Sequence, residues 1–254
     1  GYILDTSAPT ANMYGFECRI KCTQGACKDK RCMTPEMCPA MPINHQPQRE
    51  LLRELRNIEG VKKVFVSSGL RYDMILEDQK HGDGYLRDLV NYHVSGQLKV
   101  APEHTHDKVL RLMGKPGSES LLRFKSKFDN YNREANKKQF LTYYLIAAYP
   151  GCTDRDMHDL QRFTSEKLKV RPDQVQIFTP TPSTYATLMY YTEKDPFTGR
   201  ELYVAKADNE RNRQKSIAQK PRDYTPHNRG NKSSSSRGGY KGKGKSGYRG
   251  KKKR

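Results

Sequence analysis

Two hydrophobic periods take turns along the chain. Residues 2–5, with Tyr2-Ile3-Leu4, form an apolar run that predicts a short buried strand, stopped by the Thr6-Ser7-Ala8-Pro9 loop. Leu51, Leu52, Leu55 and Ile58 recur at helical spacing over 48–57, and Gly60 is the expected left-handed close of that helix. The β-branched run 61–67 predicts the next buried strand. Leu86, Leu89 and Val90 mark an amphipathic helix over 85–93, and Leu98 and Val100 a strand over 97–101 that Pro102 should end. A longer helix is expected over 118–135, with Leu121, Leu122, Phe124, Phe128 and Tyr131 on its apolar face and Ser118 as its cap. Residues 140–149 read as a central strand ending at Pro150-Gly151, 156–168 as a helix, and 174–178 as a fifth strand.

Regular alternation of strand and helix predicts an α/β fold with a parallel sheet, which carries its chemistry in the loops after the strand C-terminal ends. Those loops here gather polar, Gly and Pro residues: Ser67-Ser68-Gly69-Leu70-Arg71, Pro102-Glu103-His104-Thr105, Tyr149-Pro150-Gly151 and Thr179-Pro180-Thr181-Pro182. That composition suits a ligand-binding rim, and it is also what ordinary βα turns look like. After Pro182 the pattern fades. Residues 185–203 are rich in aromatics, and 206–220 are mostly charged with only a weak helical period. The expected division is a βα body over 1–185, an extension beside it over 186–221, and a disordered tail over 222–254.

Charge sharpens this picture. The chain carries a net +19, and eleven of its Lys and Arg residues fall in 228–254, where there is no acidic residue. The excess is therefore largely a property of the tail, whose Lys/Arg-Gly steps and spaced Tyr240 and Tyr248 suit nonspecific binding of RNA or another polyanion. No apolar run is long enough to span a membrane, and no signal peptide opens the chain, so a reducing cytoplasm is expected. The start at Gly1, inside an apolar run and without Met, reads as a truncated element or as a strand that begins there.

Five of the six cysteines, Cys18, Cys22, Cys27, Cys32 and Cys38, fall in one stretch, separated by three, four, four and five residues. In a reducing compartment such a group points to a metal before disulfides. The spacing lacks the Cys-x-x-Cys turn of zinc knuckles; an iron–sulfur cluster and zinc both remain open on the residues alone.

Several longer words carry a resemblance. Pro9-Thr10-Ala11-Asn12-Met13-Tyr14, the cysteine loop, Ser68-Gly69-Leu70-Arg71-Tyr72-Asp73, Ala101-Pro102-Glu103-His104-Thr105, Tyr149-Pro150-Gly151, Asp173-Gln174-Val175-Gln176 and Met189-Tyr190-Tyr191-Thr192 occur in this order. In these words the chain resembles the middle and C-terminal part of the YgiQ family of radical S-adenosylmethionine proteins, over most of residues 1–220. The resemblance implies a partial parallel barrel of six βα units. It also implies a Cys-x3-Cys-x2-Cys loop after the first strand, whose three thiolates hold a [4Fe–4S] cluster that binds S-adenosylmethionine. Reductive cleavage of that cofactor to a 5′-deoxyadenosyl radical is the implied activity, on an unknown substrate. This chain has no such triad. Residues 2–5 then stand for the second strand, the first βα unit is expected to lie upstream or on a separate chain, and this chain alone is expected to be inactive.

The resemblance also implies roles. Cys18, Cys27, Cys32 and Cys38 sit where the family has its own cysteines, as ligands of a second cluster or of zinc, with Cys22 and Cys152 as extras. Thr6, Ser7 and Ala8 occupy the loop where the wider superfamily holds the cofactor amino group, with Ser and Ala replacing glycines. Arg71 and Glu103 would bind the cofactor carboxylate or ribose hydroxyls, or else pair with each other across the rim. Tyr149 and Gly151 would let backbone approach the adenine. His104 and His106 are either acid–base or ligand groups, or simply solvated. The competing function is a Cys-metal-stabilised nucleic-acid-binding protein that uses the basic tail.

Overall fold

The structure is a computed structural model that describes residues 1–6, 10–27, 32–34 and 36–219. The tail expected over 222–254 lies outside the described residues, as do Ser7 and Ala8. Strand β1 (Tyr2–Ile3) pairs with β2 (Lys63–Val64), β3 (Gln97–Glu103) with β4 (Phe140–Ala147), and β4 with β5 (Val175–Ile177), every pair parallel. Leu70, after β2, bridges in parallel to Val100 of β3, so the two ladders follow each other in chain order. The fold is mixed α/β with parallel sheets, and no closed barrel forms among the described residues.

The expected first strand is shorter than its apolar run and is not buried: Tyr2 is 62% and Leu4 70% exposed. Among the described residues it pairs with β2 alone. The 61–67 strand contracts to β2, because Val66 donates its N–H to His93 rather than continuing the β1 pairing. By contrast β3 runs through Pro102. The register shifts between Val100 and Glu103, and such an irregularity tolerates a residue that lacks an N–H. Strand β4 is the middle of its ladder and buries every second residue, Leu141, Tyr143, Leu145 and Ala147.

Helix α1 (Arg19–Gln24) lies in the cysteine loop and buries nothing. Helix α2 (Gln46–Asn57) starts at a first-turn Pro47, where the missing N–H would be unpaired anyway, and buries Leu52. Its C-cap is the extended Ile58, so Gly60, at φ 81°, shapes the turn beyond instead of the cap. Two short helices without a clear period follow, α3 (Tyr72–Glu77) and α4 (Gly82–Asp88). They meet so closely that a Cβ on Gly82 would lie 2.0 Å from the Ile75 carbonyl oxygen. A π-turn (Leu89–His93) ends α4 and brings His93 to β2, where its Nδ1 lies 2.8 Å from the Val64 carbonyl oxygen.

Helix α5 (Asp107–Met113) closes on the left-handed Gly114. Helix α6 (Ser118–Glu134) is capped differently from expectation: Gly117 is the N-cap, and the Ser118 N–H donates to Asp107 Oδ1 at 2.8 Å. Helix α7 (Asp154–Phe163) opens earlier than its apolar stripe, on a capping box between Thr153 and Asp156, and widens into a π-turn (Thr164–Leu168). The faded region contains α8 (Tyr185–Thr192) and α9 (Asp208–Gln219). Helix α9 packs on α7, β4 and β5 through Gln214, Ile217 and Ala218. No helix among the described residues is long and apolar enough to cross a membrane.

The core runs from the sheet into α6, where Phe124 and Phe128 are fully buried and Phe124 meets Tyr72 of α3 at 5.7 Å between ring centroids. Truncating such a ring forfeits its transfer energy and leaves a cavity. Phe124→Ala is expected to lower stability by about 3–5 kcal/mol, read from urea denaturation followed by circular dichroism. A loss below about 1 kcal/mol would show that α6 is not a core helix.

Candidate ligand-binding rim

The strand C-terminal ends are organised by backbone bonds around Leu70. Its N–H donates to the Lys99 carbonyl at 2.9 Å, and its own carbonyl accepts from Ala101 N–H at 3.3 Å. This fixes the next residue, Arg71, beside the end of β3. The buried Asn12 then pins Arg71 twice: its Oδ1 accepts the Arg71 N–H at 2.8 Å and its Nδ2 donates to the Arg71 carbonyl at 2.9 Å. The second Nδ2 proton faces His45 Nε2 at 3.1 Å. That nitrogen must accept, so Nδ1 carries the imidazole proton and donates to Asp78 Oδ2 at 2.8 Å. Burial pushes the His45 pKa down, with Asp78 opposing, in keeping with a neutral ring. One amide thus links the stretch carrying the cysteine loop to α2, α3 and the rim.

The rim charges pair within their own neighbourhoods. Arg71 is held by Asp73, with Nε 2.9 Å from Oδ1 and Nη2 on Oδ2. Glu103 is held by the buried Lys115, Nζ to Oε1 at 2.9 Å, and the same ammonium donates to the Ala101 carbonyl at 2.6 Å. In place of an Arg71–Glu103 ion pair, the alternative to ligand binding, the described residues form two pairs, each set within the other's field. Burial pushes the Lys115 pKa down, and Glu103 opposes the shift. Glu103 has φ +65°, a left-handed conformation that costs a non-glycine residue about 1–3 kcal/mol and persists only where the surroundings impose it.

The end of β4 repeats the device. Ala148 has φ +59° and donates its N–H to Gln214 Oε1 at 2.9 Å, while Gln214 Nε2 donates to the Cys152 carbonyl at 2.9 Å. Tyr149 is packed rather than presented: its hydroxyl donates to the Leu112 carbonyl at 3.3 Å and its ring meets Phe178 edge-on. Gly151, at φ +85°, gives its N–H to the Tyr203 carbonyl at 2.7 Å, and a Cβ there would lie 2.3 Å from Leu112 Cδ1. The expected backbone approach of a ligand at Gly151 thus meets an N–H already in use. Thr6, at the end of β1, donates to the Phe65 carbonyl at 3.4 Å.

The histidines separate. His104 is buried, not solvated. Its Nδ1 accepts the His106 N–H at 2.9 Å, so the proton is on Nε2, 3.6 Å from Cys152 Sγ. Burial takes the His104 pKa down to about 3 and pushes the Cys152 thiol up, which makes a neutral pair rather than a thiolate–imidazolium couple. His106 faces Asp159 and Asp156 at 3.5 and 3.7 Å, and with Thr105, Asp159 and Arg162 it lines a cavity of about 420 Å³.

Cys18, Cys27, Cys32 and Cys38 carry free thiols on the loop, half-buried or exposed. The Cys38 N–H donates to the Cys32 carbonyl at 2.8 Å, and Cys22 follows Cys18 by one helical turn. Four thiols suit a thiophilic metal chemically. Among the described residues no three His, Cys, Asp or Glu groups are placed to share an ion. Asn12, His45, Asp73, Lys115 and Gln214 were not singled out as site residues in the sequence. Asn12 and Asp73 lie inside the resemblance words, but nothing in their spacing gave them a partner.

The chain is a mixed α/β protein whose parallel strands end in paired charges and strained residues. The chain is a homologue of UPF0313 proteins over most of its length. It is 56% identical to one from Fusobacterium nucleatum over 222 residues, 87% of this chain and 39% of that protein. It is 44% identical to one from Methanosarcina acetivorans over 217 residues, 85% of this chain and 29% of that protein. A UPF0313 protein of Clostridium perfringens is 43% identical over 226 residues, 88% of this chain and 34% of that protein. The chain thus spans between 29% and 39% of the length of these relatives. A family model described as a domain of unknown function, DUF3362, matches residues 173–225.

The buried neutral histidines set a pH dependence. The unfolded chain takes a proton on each imidazole below the ordinary value of 6.5, whereas His45, His93 and His104 resist it in the fold. Stability is therefore expected to fall as pH drops from 7 to 5. His104 contributes about 2 kcal/mol of that fall, at about 1.4 kcal/mol per pH unit below 6.5. Asp78 and Asp156, held below their ordinary 3.8, do not contribute in this window. Urea midpoints at pH 7 and 5 read the slope. His104→Asn keeps an acceptor for the His106 N–H and should flatten the slope; an unchanged slope would remove His104 from the account.

Proposed function

We propose that the chain is part of a radical S-adenosylmethionine-type protein and supplies the strand-end rim that holds the nucleoside cofactor. The observation that carries this reading is the parallel strand order with Arg71–Asp73 and Glu103–Lys115 at adjacent strand ends. The word resemblance over residues 1–220 supports it, and relatives more than twice as long leave room for a complete catalytic unit.

Arg71 is the group for the cofactor carboxylate, because Asp73 fixes its guanidinium plane while Nη1 has no hydrogen bond or ion pair within the described residues. Glu103 is the group for ribose hydroxyls or an ammonium, with Lys115 turning its carboxylate. The cofactor, when bound to a reduced cluster, would supply a carbon radical; no cluster triad is present in this chain. Cys18, Cys27, Cys32 and Cys38 remain the proposed ligands of a second iron–sulfur group or of zinc. Such a site often forms only as metal binds, since binding and local folding are coupled.

Calorimetric titration of the chain with S-adenosylhomocysteine, an inert analogue, tests the rim. Arg71→Met is expected to weaken binding by about tenfold or more, the loss of a charged hydrogen bond; equal affinity would remove Arg71. Anaerobic iron, zinc and acid-labile sulfide analysis, beside a variant with the four cysteines replaced by Ala, tests the loop. Iron with matching sulfide, lost in the variant, supports the cluster. Zinc without sulfide makes the loop a structural clip and favours the nucleic-acid reading. The chain alone is expected to form no 5′-deoxyadenosine; its formation would contradict the assignment.

A further inference from the structure

The segment matched as DUF3362 bonds to the turn after β4 and to the start of α7. Gln214 of α9 is fully buried and spans the turn 148–152, accepting from Ala148 N–H and donating to the Cys152 carbonyl, both at 2.9 Å. The Tyr203 carbonyl takes the Gly151 N–H at 2.7 Å, and Leu202 packs beside the same glycine. Arg213 pairs with Asp154, the first residue of α7, at 2.6 Å. Ala148 sits in a conformation that a non-glycine residue does not adopt by preference, so an outside partner must hold it there.

We infer that residues 202–214 are a clamp that keeps the β4 strand-end turn in its ligand-ready shape, with Gln214 as the positioning residue. This rests on the reading of the strand ends as a nucleoside rim. Gln214 touches no ligand in this account. It acts through Ala148 and Cys152, whose backbone groups are inside the protein and have few substitutes for a lost partner. The clamp joins α9 to the turn at the end of β4, the strand paired with the one that carries Glu103.

Native-state amide exchange on the whole chain tests the clamp without a variant. If α9 holds the turn, Ala148 and Gly151 amides exchange with the protection and denaturant dependence of α9, and remain so when β4 does not open. Exchange of both amides faster than α9, or in step with β4 alone, would overturn the clamp. A near-isosteric Gln214→Met, read in the same way, is expected to raise exchange at 148–152 by about tenfold while β3 and α5 keep their protection. Under conditions where this variant is fully folded, its affinity for S-adenosylhomocysteine should fall by about fivefold or more. Faster exchange with unchanged affinity would show a purely structural brace and overturn the positioning role. If the unsubstituted chain does not bind the analogue, the nucleoside reading falls and the positioning role with it. The exchange result then decides separately whether the segment is a clamp at all.

Discussion

The arrangement depends on one parallel contact, the two backbone bonds of Leu70 to Lys99 and Ala101. They join the two-stranded ladder to the three-stranded one. Leu70 has no exposed surface, so these bonds have no water to replace them. Because Arg71 follows directly, the same contact sets where the first rim charge stands relative to Glu103. Asn12 doubles the constraint by satisfying both backbone groups of Arg71 with one side chain.

From that contact the rest of the rim follows by strain and support. Two neighbouring strands end on left-handed residues other than glycine, Glu103 and Ala148, and a buried polar side chain holds each end: Lys115 and Gln214. A strained residue kept in place by buried bonds is a common way to aim backbone and side chains at a ligand. The histidines belong to a different layer. His45 and His104 have both ring nitrogens engaged by partners inside the protein.

How much was legible in the sequence varies with how local the signal is. Helix α6 and strand β4 were readable because their apolar faces keep one clean period, and the parallel α/β class followed from their alternation. Helix α8 is apolar on several sides and α9 buries only a narrow stripe, so neither shows a strong period. Lys115, between Gly114 and Pro116, reads as part of a turn, and Gln214 as one polar residue in a charged run. Their roles come from partners at Glu103, Ala148 and Cys152, which no local pattern encodes. Arg71 and Glu103 were legible as strand-end residues, yet their pairing was not, since the nearer Asp73 and the buried Lys115 take precedence over an ion pair across the rim. The cysteines are conspicuous in sequence, but among the described residues no three ligand groups are placed around one ion.

The most direct test of the rim is residue-resolved chemical-shift mapping of the full chain titrated with S-adenosylhomocysteine. Saturable shifts are expected at Arg71, Glu103, Lys115 and the Ala148–Gly151 turn, with the outer face of α2 unmoved. Shifts centred on the cavity beside His106 and Arg162, with the strand ends silent, would contradict the assignment of the rim.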